Sequence, residues 1–249
     1  MGGAVWRAFG ASDVGSVRAR NEDVFAIDDV LGCCLVADGL GGHPAGDVAS
    51  AMARAAALEA LRAAPEQLAA DPRGALERAV RRANATVHRA AGKDPALRNM
   101  GTTLTLLRIE PAGGRGCIAH VGDSRAYRLD ASGFRQLTED HTLALEMLRA
   151  GLITPEEARR TPARHRLIRA VGLDDNVAVD VFPVEAAGAG AFLLCSDGLT
   201  GMVEDSAIAA ILRDRAPDAE AACHALIAAA LEGGGEDNVT VVVACPAGG

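Results

Sequence analysis

Three aspartates at the ends of predicted strands are the residues with the clearest capacity for chemistry. Asp38 and Asp197 each follow a short, unbroken apolar run, and Asp237 precedes another such run near the C-terminus. Runs of this kind are typical of buried strands. A ligand set of carboxylates and backbone oxygens, without His or Cys, favours hard cations such as Mg²⁺ or Mn²⁺. The three aspartates therefore predict one oxygen-only metal site that the fold assembles.

The same dipeptides also have a simpler interpretation. Asp38-Gly39 and Asp197-Gly198 are typical hairpin signals, so each could be only a turn. The strongly apolar strands before both of them favour the site. Two cations about 3.5–4 Å apart can share a water, lower its pKa and direct it at phosphorus. Asp38 is the expected shared ligand, because it ends the central strand beside the uncovered carbonyl of Gly39.

A polar connector near the N-terminus carries a second group of candidate residues. Arg18 lies four and five residues before Glu22 and Asp23, so one loop can present a guanidinium and two acids together. Arginine binds a phosphate dianion through two parallel N–H donors, which lysine cannot do. The two acids can orient waters around a bound cation. The alternative for this connector is an ordinary hairpin loop.

The strands and helices that must position these residues are predicted from hydrophobic periodicity and turn signals. Predicted strands cover residues 5–12, 24–27, 101–108, 117–121, 126–129, 134–137, 177–181, 191–195 and 239–245. Predicted helices start at Pro44 and Pro72, and two more cover 205–213 and 218–231. Residues 141–170 form a helical and irregular excursion, which in a β-rich domain is often a functional flap. Segregated helix pairs and strand blocks predict an α+β fold, with sheets packed on each other and helices outside.

Composition excludes several classes of protein. The chain has 249 residues, of which 49% are hydrophobic, and its formal net charge is −8. We expect one domain over residues 1–249, because no linker-like stretch divides the sequence. The negative charge argues against nucleic-acid binding, which needs a basic face. The longest apolar runs fall short of the ~18 residues that a membrane span requires.

The six cysteines indicate a reducing compartment. They occur inside apolar runs and form no C-x-x-C pair, so they are interpreted as small buried hydrophobes. The first ten residues lack the apolar core of a signal peptide. A cytoplasmic location is expected.

Two further features have structural interpretations that we favour. His120, just inside a strand, is expected to be a hydrogen-bonded core histidine rather than a ligand. An arginine cluster could meet an acidic partner, but a solvated helix face is the favoured interpretation. The cluster consists of Arg159, Arg160, Arg164, Arg166 and Arg169.

The ordered set of motifs resembles a known family. The motifs are Ser12-Asp13-Val14-Gly15, Arg18, Asn21-Glu22-Asp23, Ala37-Asp38-Gly39-Leu40-Gly41-Gly42-His43, Gly101-Thr102-Thr103, Val121-Gly122-Asp123-Ser124-Arg125, Ser196-Asp197-Gly198 and Asp237-Asn238. Together they resemble the metal-dependent protein phosphatases of the phosphatase 2C type, and most of all the compact bacterial members. The resemblance extends from about Phe9 to Ala244.

The resemblance implies a fold and a set of metal ligands. The fold is a four-layer αββα sandwich, in which two packed antiparallel sheets are flanked by pairs of antiparallel helices. Asp38 would bridge two Mn²⁺ or Mg²⁺ ions, with the Gly39 carbonyl on one of them. Asp197 and Asp237 would complete the other. Asp123 would join Asp197 at a weaker third site.

The remaining roles concern the substrate. The resemblance implies that Arg18 binds the substrate phosphate and that Glu22 and Asp23 hold metal-bound waters. Eukaryotic members carry a proposed general-acid histidine two residues after the bridging aspartate, whereas this chain has Leu40 there. His43 is interpreted as a turn or cap residue, so protonation of the leaving group could come from a metal-bound water.

We therefore predict a protein phosphatase that acts on phosphoserine and phosphothreonine. Its substrates would include a Ser/Thr kinase or the targets of that kinase, and we expect a monomer. Two alternatives stay open at this point: a phosphatase of small phosphoesters, and a non-catalytic member of the fold that binds a partner.

Overall fold

We describe the protein from a computed structural model, which covers residues 5–40, 45–111 and 113–247. Gly41, Gly42, His43 and the predicted helix start at Pro44 lie outside the described residues. Within the described ranges, no helix is both long enough and apolar enough to cross a membrane.

The strands form two five-stranded antiparallel sheets. In the described ranges they are β1 (Trp6–Asp13), β2 (Asp23–Asp28), β3 (Cys33–Asp38), β4 (Leu104–Ile109), β5 (Arg115–Val121), β6 (Arg125–Asp130), β7 (Gly133–Gln136), β8 (Asp180–Glu185), β9 (Ala189–Cys195) and β10 (Val239–Pro246). One sheet has the order β1-β10-β9-β6-β7, and the other has the order β2-β3-β4-β5-β8.

Pairs of helices cover the outer faces of the two sheets, and the helices between residues 141 and 170 belong to the predicted excursion. In the described ranges the helices are α1 (Gly46–Arg62), α2 (Pro65–Ala70), α3 (Pro72–Lys93), α4 (Leu143–Arg149), α5 (Pro155–Arg160), α6 (Asp197–Thr200), α7 (Asp205–Arg215) and α8 (Ala219–Glu232). The α1 and α3 helices pack on each other and on the β2-containing sheet, while α8 packs on β1 and β10 and against α7. This arrangement confirms the predicted four-layer αββα sandwich.

The β3 strand is buried on both faces of its sheet. Successive side chains of a strand point to opposite faces of the sheet. In β3, Leu35 and Ala37 pack toward α1 and α3, whereas Cys34 and Val36 pack between the two sheets. A strand that is buried on both faces has no polar positions to alternate, so β3 is a continuous apolar run that ends at Asp38.

Two elements differ from the sequence prediction. The strand expected at 177–181 is β8, which begins at Asp180 and continues through Pro183. Proline lacks an N–H but is tolerated in an edge strand, and β8 is at the edge of its sheet. Between the helices predicted from Pro44 and from Pro72, the chain also forms the short helix α2, which Pro65 begins.

His120 is a core histidine, as predicted. Its side chain is fully buried, and its ring nitrogens pair with the Thr105 hydroxyl at 2.9 Å and the Glu139 carbonyl at 3.0 Å. The six cysteines are also buried and unpaired. Burial raises the pKa of the Cys33 thiol to about 12, so that thiol is unreactive at neutral pH.

Candidate metal centre

One cavity of about 590 Å³ collects all but one of the predicted site residues. It lies where β3, β5 and β9 end and β10 begins, so strands of both sheets contribute to it. The predicted residues that line it are Arg18, Glu22, Asp38, Gly39, Asp123, Asp197 and Asp237. Asp23 is the exception, because it is buried beside the cavity.

The backbone of Asp38 is held so that its carboxylate is free for a ligand. The Asp38 N–H donates to the Thr103 hydroxyl at 2.9 Å, and the Asp38 carbonyl accepts from the Thr102 hydroxyl at 2.7 Å. The Thr103 N–H donates to the same carbonyl at 2.8 Å. The two threonines thus fix the end of β3. Sequence analysis included them in a strand and a motif but gave them no role.

Gly39 is needed because two other segments approach its backbone closely. A Cβ atom on Gly39 would lie 2.4 Å from the Gly46 carbonyl oxygen and 2.8 Å from the Glu22 carbonyl oxygen. The Gly39 N–H donates to that Glu22 carbonyl at 3.1 Å. Any side chain here would separate Glu22 from the end of β3.

Burial and mutual repulsion both act on the carboxyl groups of the cavity. Burial, together with the charges of Asp23, Asp197, Asp123 and Asp237, raises the pKa of Asp38 well above its ordinary value. Burial followed by the charge of Asp197 does the same to the pKa of Asp123. Carboxylates crowded in this way ionise together only when a cation offsets their charge.

Asp23 lies deeper than the sequence indicated. It is the first residue of β2 and pairs across the ladder with Asp38. Its Oδ2 atom accepts from the Ser196 hydroxyl at 2.7 Å, whereas its buried Oδ1 atom has no hydrogen-bond partner among the residues that the structure describes. Burial is the main cause that raises its pKa to about 7. Asp23 can therefore support Asp38 from behind but has little contact with solvent.

Glu22 faces the cavity near the start of α1. Its pKa is raised, first by burial and then by the charge of Asp47. Its N–H donates to the Asn238 side-chain oxygen at 2.8 Å, and its carbonyl accepts from the Ser50 hydroxyl at 2.6 Å. The position of Glu22 is therefore fixed from both sides by its backbone.

Asn238 holds the connector that carries Arg18. Its side-chain NH₂ donates to the carbonyls of Val14 and Arg20, both at 2.9 Å. Arg18 then reaches Asp237, with its Nη2 atom 2.7 Å from the carboxylate. Sequence analysis found Asn238 in a motif but assigned it no function. Its three bonds to residues far away in sequence could not be predicted from local pattern.

The predicted excursion, residues 141–170, brings further cations to the cavity. Arg164, His165 and Arg166 line it, and His165 Nδ1 lies 3.5 Å from an Asp197 oxygen. The interpretation of the arginine cluster as one solvated helix face was therefore wrong. Arg159 and Arg160 lie on α5, Arg164 lies on a separate 3₁₀ helix (Pro162–His165), and the other two lie on neither. Arg164 and Arg166 line the cavity, and Arg169 pairs with Asp180.

The donor set fits hard divalent cations. The acidic residues around the cavity supply only oxygen atoms, which Mg²⁺ and Mn²⁺ prefer. Among the described residues, no three His, Cys, Asp or Glu side chains already converge as a complete ligand set. The unpartnered Asp23 oxygen and the repelling charges around Asp38 both favour a cation.

Sequence and structure comparisons show the family. The profile of the family described as protein phosphatase 2C matches residues 16–232. The serine/threonine phosphatase stp of Listeria innocua is 40% identical over 236 residues, which span 93% of this chain and 92% of that protein. The crystal structure of the Mycobacterium tuberculosis serine/threonine phosphatase PstP/Ppp matches with a TM-score of 0.87 at 40% identity, covering 97% of this chain and 99% of that chain.

Another similar structure contains metal. It is the catalytic domain of the serine/threonine protein phosphatase PstP in complex with two manganese ions. It matches with a TM-score of 0.84 at 38% identity, covering 97% of this chain and 98% of that chain. The agreement extends over nearly the whole chain in sequence and in fold. The chain therefore belongs to the protein phosphatase 2C family of phosphatase enzymes.

Proposed function

We propose that this chain hydrolyses phosphoserine and phosphothreonine in proteins with a dinuclear Mn²⁺ or Mg²⁺ centre. The observation that carries the proposal is the convergence of aspartates from four separate segments, together with Arg18, on a single cavity. The names of the relatives in Listeria and Mycobacterium, and the manganese in a PstP structure, support the same activity.

The ligand assignment is the one that the family resemblance implies. Asp38 would serve both ions, because it lies at the centre of the repelling carboxylates. The Gly39 carbonyl would bind one ion, and Asp197 and Asp237 would bind the other. Burial and then the charge of Asp197 raise the pKa of Asp123, which supports a weaker third ion beside these two residues. When bound, such ions activate a shared water for in-line attack and neutralise charge on phosphorus.

The protein's own residues would orient the phosphate around that centre. Arg18 is 41% exposed, and only part of its guanidinium is used by Asp237, so further N–H donors are available to phosphate oxygens. Glu22, fixed by its backbone at the cavity edge, would orient waters. Asp23 is too buried for that role and would instead support Asp38 from behind.

Hydrolysis of an aryl phosphate and of phosphoserine and phosphothreonine peptides tests the proposal. Activity should require Mn²⁺ or Mg²⁺ and disappear in EDTA, and Asp38→Asn should remove nearly all of it. Asp214→Asn is a matched control, because Asp214 is 71% exposed on α7 and pairs with the adjacent Arg215. Turnover of nucleotides or sugar phosphates but not of phosphopeptides would favour the small-phosphoester alternative. Failure of Mn²⁺ to bind would favour a non-catalytic partner-binding role.

Three accompanying proposals concern the protein as a whole. Residues 1–249 would form one domain, with residues 141–170 as its flap. A monomer would suffice, because every proposed ligand comes from one chain. A cytoplasmic location is supported by six buried, unpaired cysteines, and there a protein Ser/Thr kinase or its targets would be the substrate.

A further inference from the structure

The two arms of the flap meet in a short stem. The Ile168 N–H donates to the His141 carbonyl at 2.9 Å, and the Leu143 N–H donates to the Arg166 carbonyl at 2.8 Å. These backbone bonds join residues about 25 positions apart in the chain. Both lie within the flap, so other contacts must attach the stem to the sandwich.

One carboxylate outside the flap bonds both arms of the stem. Asp180, the first residue of β8, accepts from His141 Nε2 at 3.0 Å through Oδ2. Its Oδ1 atom accepts from Arg169 Nη1 at 2.8 Å. His141 begins the flap and Arg169 lies near its end. Burial alone would raise the pKa of Asp180, but the hydrogen bonds from His141 and Arg169 lower it, so the carboxylate is ionised at neutral pH.

His141 passes this connection on to the turn that carries Asp123. Its Nδ1 atom accepts from the Gly122 N–H at 3.1 Å, and its own N–H donates to the Gly122 carbonyl at 2.8 Å. An acceptor at Nδ1 assigns the proton to Nε2, which faces Asp180. Gly122 also packs closely against Thr103, since a Cβ on Gly122 would lie only 2.6 Å from the Thr103 side chain. The Gly122–Asp123 turn is thus held between His141 and the residues that fix Asp38.

We infer that Asp180 is a positioning residue that couples the flap to the Asp123 side of the metal centre. It acts through His141 and Arg169 and does not line the cavity itself. Loss of its charge would loosen the stem and the Asp123 turn together, while Asp38 and Asp237 keep their own supports. The effect on the weaker third metal site rests on the proposed function, whereas the effect on the flap does not.

Four variants separate positioning from a general loss of structure. Asp180→Asn keeps the shape of the side chain but places its NH₂ group opposite an N–H donor of His141 or Arg169. Arg169→Gln removes the positive charge from one arm of the stem. Arg169→Lys keeps a cationic N–H donor and should restore wild-type behaviour. Glu185→Gln is the matched control, since Glu185 is exposed at the other end of β8. If Asp180→Asn does not fold, the two Arg169 variants decide the question, because Arg169 is partly exposed.

Limited trypsin digestion measures how readily the flap opens, and it does not depend on phosphatase activity. The flap contains cleavable arginines at 159, 160 and 164. Loss of a hydrogen bond to a charged group is enough to raise the cleavage rate in the flap by about tenfold. We expect that rise in Asp180→Asn and Arg169→Gln, but not in Arg169→Lys or Glu185→Gln. Equal cleavage rates in all four variants would overturn the inference.

Metal and substrate titrations measure the effect of Asp180 on the Asp123 side of the metal centre. In Asp180→Asn, tight Mn²⁺ binding should be unchanged, while half-saturation of the weaker third site should need about tenfold more Mn²⁺. KM for a phosphopeptide should rise, with kcat for a small aryl phosphate nearly unchanged. If tight Mn²⁺ binding is lost as well, Asp180 is a general structural residue and the inference is wrong. If turnover is absent in the wild type, the proposed function fails, but the digestion result still decides the flap.

Discussion

Substituting Asn for Asp23 should raise the free energy of unfolding of the protein in EDTA at about pH 8. Burial raises the pKa of Asp23 from an ordinary 3.8 to about 7. At 1.36 kcal/mol per pKa unit, ionisation of this buried carboxyl costs roughly 4 kcal/mol. Asn can still accept from Ser196, but its NH₂ group replaces the unpartnered Oδ1 atom and costs about 1–3 kcal/mol. We expect a net stabilisation of about 1–3 kcal/mol.

The sign of the pH dependence follows from a folded-state pKa that is raised. Between pH 3.8 and about 7 the folded state binds more protons at Asp23 than the unfolded state does. The contribution of Asp23 to wild-type stability therefore falls as pH rises through that window. The advantage of Asp23→Asn should grow across the same window and level off above it.

Urea denaturation with EDTA and with saturating Mn²⁺ measures this effect. Asp28→Asn is the control, because Asp28 ends the same strand but is bonded by Leu31 and Arg62, which lower its pKa despite burial. That substitution should destabilise the protein at neutral pH. The reasoning is refuted if Asp23→Asn brings no gain in EDTA, or if the gain persists unchanged in Mn²⁺, which should offset the repulsion.

Three further substitutions test other parts of the account. Arg18→Ala should raise KM for a phosphopeptide about tenfold or more, with a smaller change in kcat, because it removes charge-assisted bonds to phosphate; an unchanged KM would contradict this role. Asn238→Ala should lower Tm and raise KM as well, since it frees the connector that carries Arg18; kinetics and thermal unfolding check both effects. Burial, followed by the charge of His141, lowers the pKa of His120 to about 4, so the contribution of His120 to stability should fall as pH drops from 6.5 to about 4, by up to roughly 3 kcal/mol. Urea titrations at both ends of that range should show that His120→Gln gains stability relative to the wild type as pH drops.

The layers and most of the candidate site could be predicted because their signals are local. A continuous apolar run such as 33–37 can be only a buried element, and its end places Asp38 at a sheet edge. The same logic located Asp197 and Asp237. The motif order then indicated Asp123, which spacing alone did not identify as a ligand.

Long-range hydrogen bonds account for most of what could not be predicted. Asn238 fixes a connector more than 200 positions earlier, and Ser196 bonds Asp23 from the other sheet. No local pattern encodes such partners. The flap is a similar case, because His141 and Arg169 bond to Asp180, which lies outside it. The continuation of β8 through Pro183 was missed because proline is tolerated in an edge strand.

Calorimetric titration of the metal-free protein with Mn²⁺ tests the central claim most directly. The claim is that carboxylates from distant segments share a pair of cations through Asp38. We expect two tightly bound Mn²⁺ ions per wild-type chain and loss of tight binding in Asp38→Asn, with Asp214→Asn behaving as the wild type. An Asp38→Asn variant that binds two Mn²⁺ ions as tightly as the wild type would contradict the account.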